Sequence, residues 1–413
     1  MKKVYLALAA LVVLALGGAG LGYYLYKRHE SRNIHGSPTV EFVTTEEQHI
    51  SPEIKDVPWP MYGFDEARTR YDPEVRLRPP YRGVWTFRAQ SLLEFPPAVA
   101  YRRLYFTSNA GLVYAISART GKRAWKRPQG RCVAASPAVA KHRVFQTFLN
   151  RPPCNATGSG LKGEIVAFAA GTGRVLWRKQ IGPSESSPVW DKGRVYVGDW
   201  NGDVWSLNAG TGQTKWVFHT GGQVKGGVTI SGARVYVGNY DGHLYALDAK
   251  TGRKLWQGSS QGRLGGSGNF YSTPAVAYGR VYIGSTDGKA YSFGAHSGKL
   301  RWSHSTGGYV YSSPAVWNKR VYFGSYSGTF YAFDAATGDV AWTFSANGPI
   351  SGSPTVLDGV VYFATLKRRT YALDARTGKQ LWSWPDGKYS PVVADTKRLY
   401  LVGYARIYGF VAR

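Results

Sequence analysis

Residues 313–342 read SPAVWNKRVYFGSYSGTFYAFDAATGDVAW, and this stretch contains the pattern that decides the fold. The pattern is Ser-Pro-x-Val, then Val-Tyr-x-Gly, then Tyr-Ala-x-Asp-Ala-x-Thr-Gly, with a tryptophan four residues after that glycine. Short runs of β-branched and aromatic residues between turn residues predict four antiparallel strands, here called A to D. The Thr-Gly pair is typical of a tight turn, because glycine readily adopts a positive φ.

The tryptophan of this pattern recurs along the chain, with gaps of 40, 52, 39, 40, 46, 40 and 40 residues between successive copies. Four strands every ~40 residues are the signature of a β-propeller blade. We expect a structural role for the eight repeated indoles, which are Trp85, Trp125, Trp177, Trp216, Trp256, Trp302, Trp342 and Trp382.

The two ends of the repeat region complement each other. The last unit stops at Arg413 after strands A to C, whereas Trp85 lies in a D strand that no A, B or C strand precedes. The strand around Trp85 is therefore predicted to close the last blade, which leaves no free edge. The sequence predicts an all-β, eight-bladed β-propeller of four-stranded antiparallel blades over residues 81–413, preceded by one transmembrane helix and a stalk.

The repeat units resemble the pyrroloquinoline quinone (PQQ) repeat, as in residues 235–256, VYVGNYDGHLYALDAKTGRKLW. Residues 59–69, WPMYGFDEART, are similar to the segment that precedes the first blade in such proteins. The resemblance implies a lead-in segment at 58–80 that docks on the propeller, and tryptophans that dock between blades. The family includes periplasmic quinoprotein dehydrogenases and non-catalytic propellers, such as the lipoprotein of the outer-membrane barrel assembly machinery. The chain is closest in character to the non-catalytic members.

Catalytic groups of the dehydrogenases are missing from the repeats. Those enzymes use adjacent cysteines, a catalytic aspartate and a calcium ion whose ligands include a glutamate and an asparagine. Here Cys132 and Cys154 are 22 positions apart, and no recognisable motif surrounds the repeat glutamates Glu94, Glu164 and Glu185. The eight histidines lack the spacing of metal ligands. We therefore predict no catalytic, cofactor-binding or metal-binding residues, with PQQ and calcium kept as an alternative.

The two cysteines flank an inserted loop, Arg151 to Lys162, which accounts for the 52-residue gap. A disulfide between Cys132 and Cys154 would hold this loop, and the alternative is a pair of buried thiols. A disulfide would require an oxidising compartment.

Residues 4–26 contain no charged side chain and would span about 35 Å as a helix. We predict a transmembrane anchor at 1–26 and a polar stalk at 27–57, with a cleaved signal peptide as the alternative. Lysines and arginines flank both ends of the span, so the charge balance alone does not orient it. We expect a single-pass protein of the cytoplasmic membrane with its propeller on the extracytoplasmic side.

The net charge of +27 favours an anionic partner or surface. A–B and C–D turns emerge on one face of a propeller, and this face collects most of the basic residues. It is predicted to be either a solvated rim or a contact with anionic lipid or wall polymer, and we expect no nucleic acid partner. The basic face comprises Arg102, Arg103, Lys141, Arg143, Arg194, Arg253, Lys254, Lys319, Arg320, Lys397 and Arg398.

The opposite face, formed by B–C turns and D–A connections, offers aromatic side chains with polar groups. Such residues suit contacts with a protein or a glycan, although they could also pack between blades. The candidates are Trp200, Tyr240, Phe270, Tyr271, Tyr309, Tyr311 and Tyr326. The sequence thus favours a membrane-anchored, non-catalytic binding or assembly scaffold of the bacterial envelope. The alternatives are a PQQ-dependent dehydrogenase and an extracytoplasmic sensor domain.

Overall fold

The computed structural model describes residues 2–30, 32–45, 56–154, 156, 160–262, 268–390 and 392–413. Its first element is one α-helix, Lys2–Glu30. Within the part of the chain that the model describes, no helix is long and apolar enough to cross a membrane. The prediction of a transmembrane helix at 4–26 is therefore not confirmed.

The prediction of an eight-bladed propeller is confirmed, because the strands form eight antiparallel sheets in chain order. Blade 1 consists of strands Ala98–Ala100, Arg103–Ser108, Leu112–Ser117 and Arg123–Pro128. Blade 2 consists of Ala138–Ala140, Arg143–Phe148, Gly163–Ala169 and Val175–Ile181. Blade 3 consists of Val189–Asp191, Arg194–Gly198, Asp203–Asn208 and Thr214–His219. Blade 4 consists of Thr229–Ser231, Arg234–Gly238, His243–Asp248 and Lys254–Ser259.

The second half of the ring repeats this arrangement. Blade 5 consists of Ala275–Ala277, Arg280–Gly284, Lys289–Gly294 and Leu300–Ser305. Blade 6 consists of Ala315–Trp317, Arg320–Gly324, Thr329–Asp334 and Val340–Ser345. Blade 7 consists of Thr355–Leu357, Val360–Thr365, Arg369–Asp374 and Gln380–Trp384, with Tyr71–Asp72 added as a parallel fifth strand. Blade 8 consists of Val392–Ala394, Leu399–Val402 and Arg406–Ala412, and Tyr81–Arg88 supplies its D strand.

The repeated tryptophans join neighbouring blades. The Trp302 indole Nε1 of blade 5 donates a hydrogen bond of 3.0 Å to the carbonyl of Ala335 in blade 6. The same carbonyl accepts a bond of 3.1 Å from the hydroxyl of Tyr282, which lies in strand B of blade 5. One alanine carbonyl therefore receives two donors across the seam. Equivalent indole bonds start at Trp125, Trp177, Trp216, Trp256 and Trp342.

The glycine of each Thr-Gly turn packs on the indole of the preceding blade. Gly338 has a φ of +78°, and a Cβ atom there would lie 2.7 Å from the Trp302 ring. Non-glycine residues pay for a positive φ, and this site also lacks the space for a methyl group. The repeat thus needs glycine for two independent reasons.

The seam between blades 7 and 8 differs, because the chain ends replace the C–D turn there. The Tyr362 hydroxyl bonds to the Tyr81 hydroxyl instead of to an alanine carbonyl. The Trp382 ring contacts Tyr81 edge to face, at a centroid distance of 5.4 Å. Tyr81 therefore performs at the closure the role that a Thr-Gly turn performs elsewhere.

A hydroxyl residue precedes the strand A proline in six blades, and several of these hydroxyls link neighbouring blades around the central axis. Ser353 Oγ accepts a bond of 2.9 Å from the backbone N–H of Ser313. Ser313 Oγ in turn accepts one of 3.0 Å from the N–H of Thr273, whose own hydroxyl accepts one of 2.8 Å from Gly227. The Ser-Pro motif is thus a chain of hydroxyl-to-backbone bonds between successive blades.

The lead-in segment closes the central channel, and we call residues 59–72 the plug. Its backbone pairs with strand A residues of six blades, through Val99, Val139, Ile230, Val276, Val316 and Val356. The Arg68 side chain is fully buried and donates to the carbonyls of Tyr62, Ser187, Pro188 and Val228. These bonds lie where blade 4 departs from the repeat, with Gly227-Val228 in place of Ser-Pro.

Of the predicted stalk at 27–57, residues 27–30 belong to the helix, and residues 32–45 lie against blades 5 and 6. The Glu41 carboxylate accepts bonds from Arg301 and from the Ser297 hydroxyl. The Arg280 guanidinium donates to backbone carbonyls of this segment. The segment therefore differs from a solvated linker, because a partly buried ion pair and arginine-to-carbonyl hydrogen bonds hold it on the ring. Residues 31 and 46–55 of the predicted stalk lie outside the described residues.

Candidate functional site: a blind cavity at the channel mouth

A cavity of about 570 Å³ opens at the centre of the face formed by D–A connections and B–C turns. The plug closes its inner end, and every D–A connection of the ring contributes to its wall. One lining residue from each connection, in chain order, is Glu94, Val133, Glu185, Lys225, Tyr271, Tyr311, Ser351 and Tyr389. The volume is in the range of small-ligand sites, roughly 300–1,000 Å³.

One position of the repeat faces this cavity but does not keep its residue type. It lies two residues before the hydroxyl position of the Ser-Pro motif, and seven of its eight occupants line the cavity. The occupants are Glu94, Ala134, Glu185, Lys225, Tyr271, Tyr311, Ser351 and Lys388. Positions whose residue type recurs from blade to blade form the contacts of the ring. This divergent position instead supplies the varied charged and aromatic side chains of the cavity. Comparing the repeats for divergence would have found Glu94, Glu185 and Lys225, which motif searching missed.

Tyrosines form one continuous wall of the cavity. The Tyr311 ring lies 5.3 Å from Tyr271 and 5.0 Å from Tyr326, measured between centroids. Tyr309 lies 5.9 Å from Tyr311, and Tyr240 lies 6.1 Å from Tyr271. The structure thus brings together five of the seven aromatic residues that the sequence singled out for this face.

The remaining two aromatic candidates have other positions. Phe270 is fully buried and packs edge to face on Tyr291 and Phe293 within blade 5, so it cannot contact a ligand. Phe270 lies in the long, glycine-rich connection from Gln257 to Tyr271, which suggested exposure, but its ring fills the core of the blade. Residues 263–267 of that connection lie outside the described residues. Trp200 lies beside the cavity, where its ring contacts the Lys225 ammonium at 4.4 Å.

Glu185 is a partly buried acid in the connection from blade 2 to blade 3. Its Oε2 accepts a hydrogen bond of 2.9 Å from the Tyr271 hydroxyl. Burial raises the pKa of Glu185, and the attraction of Lys225 opposes that rise. The Lys225 ammonium itself lies between the rings of Trp200 and Tyr240, 4.7 Å from the latter. The positive charge of Lys225 thus partly offsets the negative charge of Glu185 from the next D–A connection.

Glu94 is the second acid, at the connection from blade 8 to blade 1. Its Oε2 accepts a bond of 3.3 Å from the Asn109 amide. Burial raises the pKa of Glu94, repulsion from Glu185 adds to the rise, and Lys388 opposes it. Lys388 extends over the Tyr389 ring at 4.8 Å. This acid is therefore also balanced by a lysine of the neighbouring blade.

A disulfide joins Cys132 to Cys154, with 5.5 Å between the two Cα atoms. Both cysteines line the cavity, so the bond holds the inserted loop at the mouth. Residues 155 and 157–159 of the insertion lie outside the described residues.

The floor of the cavity is the Tyr62 side chain of the plug. Its hydroxyl bonds to Ser353 Oγ at 2.9 Å and to Ser313 Oγ at 3.3 Å. The buried Arg70 guanidinium lies over the same ring, 3.9 Å from its centroid. The cation lies behind the ring, so the cavity meets the phenol and the serine hydroxyls.

The predicted basic face lies at the other end of the channel. All eleven of its named arginines and lysines are exposed or partly exposed. Some also stabilise the ring: Arg103 donates to the carbonyls of Ala170 and Gly171 in the next blade, and Arg194 does the same to Ala249 and Lys250. A contact between this basic face and an anionic surface stays a prediction.

A protein-family model described as outer membrane protein assembly factor BamB, named PQQ_2, matches residues 82–150, 161–313 and 306–402. These ranges cover most of the chain and include all or part of each of the eight blades. The chain belongs to this family. The PQQ-repeat resemblance noted from the sequence is thereby confirmed.

Similar proteins include enzymes named as a hydrolase and a dehydrogenase, and the protein BamB. Tetrathionate hydrolase of Acidithiobacillus ferrooxidans is 26% identical over 142 residues, which are 30% of this chain and 28% of that protein. Quinohemoprotein alcohol dehydrogenase of Comamonas testosteroni is 26% identical over 181 residues, 42% of this chain and 20% of that protein. The chain thus spans less than a third of these curated relatives.

The crystal structure of BamB from Moraxella catarrhalis has a TM-score of 0.65 and 18% sequence identity. The match covers 81% of this chain and 98% of that one. At this identity the likeness shows the shared fold.

The cavity residues do not fit PQQ with calcium. PQQ is an aromatic polycarboxylate and needs positive charge around it, whereas the charged residues that line this cavity are two partly buried glutamates and one lysine. Calcium takes six or more oxygen ligands, and the described residues contain no group of three or more acidic, histidine or cysteine side chains that could hold a metal. The disulfide of the cavity also joins cysteines that are 22 positions apart rather than adjacent.

Proposed function

We propose that this protein is a non-catalytic binding or assembly propeller of the bacterial cell envelope, which holds its partner or ligand at the cavity mouth. The observation that carries this proposal is the divergent repeat position, which places acids, lysines and tyrosines around one mouth while the rest of each blade repeats. Binding surfaces need varied chemistry, and the structural positions of a repeat do not supply it.

Two further observations support an envelope location. The Cys132–Cys154 disulfide requires an oxidising compartment. The apolar residues of helix Lys2–Glu30 that are described, such as Leu14 and Leu21, are largely exposed. Under this proposal, the helix attaches the propeller to the cytoplasmic membrane as a single-pass anchor, with the ring on the extracytoplasmic side.

Site-specific photo-crosslinking in the native cell tests the proposal. A photoreactive residue at Tyr309, which is 41% exposed at the cavity mouth, should trap a defined envelope component. Val217 is the matched control, because it is 44% exposed but lies on a D strand at the outer edge of blade 3. Equal labelling at Tyr309 and Val217 would count against a binding role for the mouth.

The second candidate is a PQQ-dependent dehydrogenase, which the similarity to the Comamonas testosteroni enzyme favours. Purified protein mixed with PQQ, calcium and a primary alcohol distinguishes the two. We expect no reduction of an artificial electron acceptor, and turnover that depends on added quinone would replace the scaffold proposal.

A further inference from the structure

The cavity is divided into an aromatic wall and a polar wall. Tyrosines of blades 4 to 6 form the first, with rings in mutual contact between 5.0 and 6.3 Å. The polar wall includes Glu94, Asn109 and Glu185, and it meets the aromatic wall where Glu185 accepts a hydrogen bond from Tyr271. A ligand that fills this space must offer an apolar face to the rings and hydrogen-bonding groups to the acids.

Lysines offset the acids of the cavity. Lys225 lines the cavity together with Glu94 and Glu185 and attracts Glu185, and Lys388, which lies outside the lining, attracts Glu94. An added cation or anion would have to compete with these pairs, and it would lose its hydration without a free counter-charge. A neutral ligand avoids this cost.

The polar groups of the cavity both donate and accept. Carboxylates accept, the lysine ammonium and the Asn109 amide donate, and serine hydroxyls at the floor do either. A ligand rich in hydroxyl groups can satisfy all of them, because each hydroxyl is a donor and an acceptor. Hydroxyl bonds to ionised groups are stronger than those between neutral groups.

We propose that the cavity binds a neutral saccharide unit of an envelope glycan, with its C–H face on the Tyr271–Tyr311 wall and its hydroxyls toward Glu94, Glu185 and Lys225. This inference rests on the proposed function and names its ligand. The volume of about 570 Å³ sets the size of the ligand to a small saccharide rather than a folded domain.

Isothermal titration calorimetry on the purified full chain tests this inference. The probes are neutral disaccharides of glucose, galactose, mannose and N-acetylglucosamine, a uronic acid disaccharide and a short lysine-rich peptide. We expect at least one neutral disaccharide to bind more tightly than the acidic disaccharide and the peptide. The inference is overturned if no neutral disaccharide binds at millimolar concentration, or if the charged probes bind more tightly.

Variants locate the binding site. Tyr311→Ala should weaken binding about tenfold or more by removing the stacking surface, whereas Tyr311→Phe should retain it. Glu185→Gln should also weaken binding, because the ligand's hydroxyls lose a charged acceptor. Tyr101→Ala is the matched control, since Tyr101 stacks on His142 at the opposite face. Equal losses from Tyr101→Ala and Tyr311→Ala would contradict the assignment.

The glycan inference and the proposed function can fail separately. Photo-crosslinks from Tyr309 to a protein, combined with no saccharide binding, would reject the glycan while leaving the scaffold in place. An absence of specific crosslinks at Tyr309, together with quinone-dependent turnover, would reject the scaffold itself.

Discussion

The Tyr271 hydroxyl donates a hydrogen bond of 2.9 Å to Glu185 Oε2, and this bond reaches past blade 4 to join the connections before blades 5 and 3. Between them lie Gly226 and Gly227, whose absent side chains leave room for the crossing. A Cβ atom on Gly226 would lie 2.8 Å from the Tyr271 carbonyl oxygen. The loss of Ser-Pro from blade 4 therefore coincides with a contact that spans it.

Removing the Tyr271 hydroxyl tests how much its hydrogen bond to Glu185 contributes to the stability of the fold. Tyr271→Phe leaves a buried carboxylate without its donor, so we expect the free energy of unfolding to fall by about 1–3 kcal/mol. Urea denaturation measures this change. Tyr309→Phe serves as the control at a more exposed ring of the same wall. A Tyr271→Phe variant as stable as the parent would show that the bond contributes nothing.

The disulfide is expected to stabilise the ring by closing a loop across 22 positions of sequence. The variant with both Cys132→Ser and Cys154→Ser should lose roughly 3 kcal/mol of the free energy of unfolding. Guanidinium denaturation with and without reductant measures the loss. Reductant should destabilise the parent to a similar degree and leave the double variant unchanged, and any other pattern would contradict a structural disulfide.

The glycine turns permit a matched pair of substitutions. Gly338 and Gly193 have φ values of +78° and +77°, but only at Gly338 would a Cβ meet an indole ring. Gly193→Ala should cost about 1 kcal/mol through backbone strain alone. Gly338→Ala should cost clearly more, because Trp302 must also shift. Thermal unfolding of both variants gives the difference, and equal costs would mean that the indole moves freely.

We expect Arg68 to contribute more than any other side chain of the plug to holding the plug in the channel. Arg68→Met keeps much of the length but leaves the carbonyls of Ser187, Pro188 and Val228 without these donors. Unsatisfied buried groups cost about 1–3 kcal/mol each, so the variant should unfold at a markedly lower denaturant concentration. Arg76→Met, at an exposed position of the lead-in segment just after the plug, should change little.

The plug also predicts a pH dependence of stability. Burial raises the pKa of Glu66 to about 7, from 4.5. The folded state therefore binds a proton more tightly than the unfolded state does, and the contribution of this group to stability falls as the pH rises from about 4.5 to about 7. Glu66→Gln should flatten this part of the stability profile, measured by urea denaturation at several pH values. An unchanged slope would exclude Glu66 as a source.

Most of the fold could be predicted because the same sequence pattern recurs in each blade. The tryptophan period gave the number of blades, and the unmatched strand around Trp85 indicated how the ring closes. The plug could not be predicted in detail, because its contacts are backbone pairs with six blades and carry no side-chain pattern. Arg68 resembles any surface arginine until its four carbonyl acceptors are known.

The candidate site was predicted in part. Aromatic residues on turns of one face indicated the tyrosine wall, since the turn pattern fixes which face each turn joins. The pattern failed for Phe270, whose position in a long connection gives no sign that its ring turns inward. Glu94 and Glu185 were noted in the sequence but assigned no role, because single acids without a motif resemble solvated residues, and only the ring brings them together.

The plug precedes the four-stranded blades in the chain, because residues 59–72 come before strand Tyr81–Arg88 and add only the short strand Tyr71–Asp72 to blade 7. A chain that starts at residue 73 would keep the eight sheets but lose the end wall of the cavity. The cavity would then be open to solvent at both ends. The depth of the cavity is therefore set by fourteen residues that come before the first blade, of which only Tyr71 and Asp72 form part of a sheet.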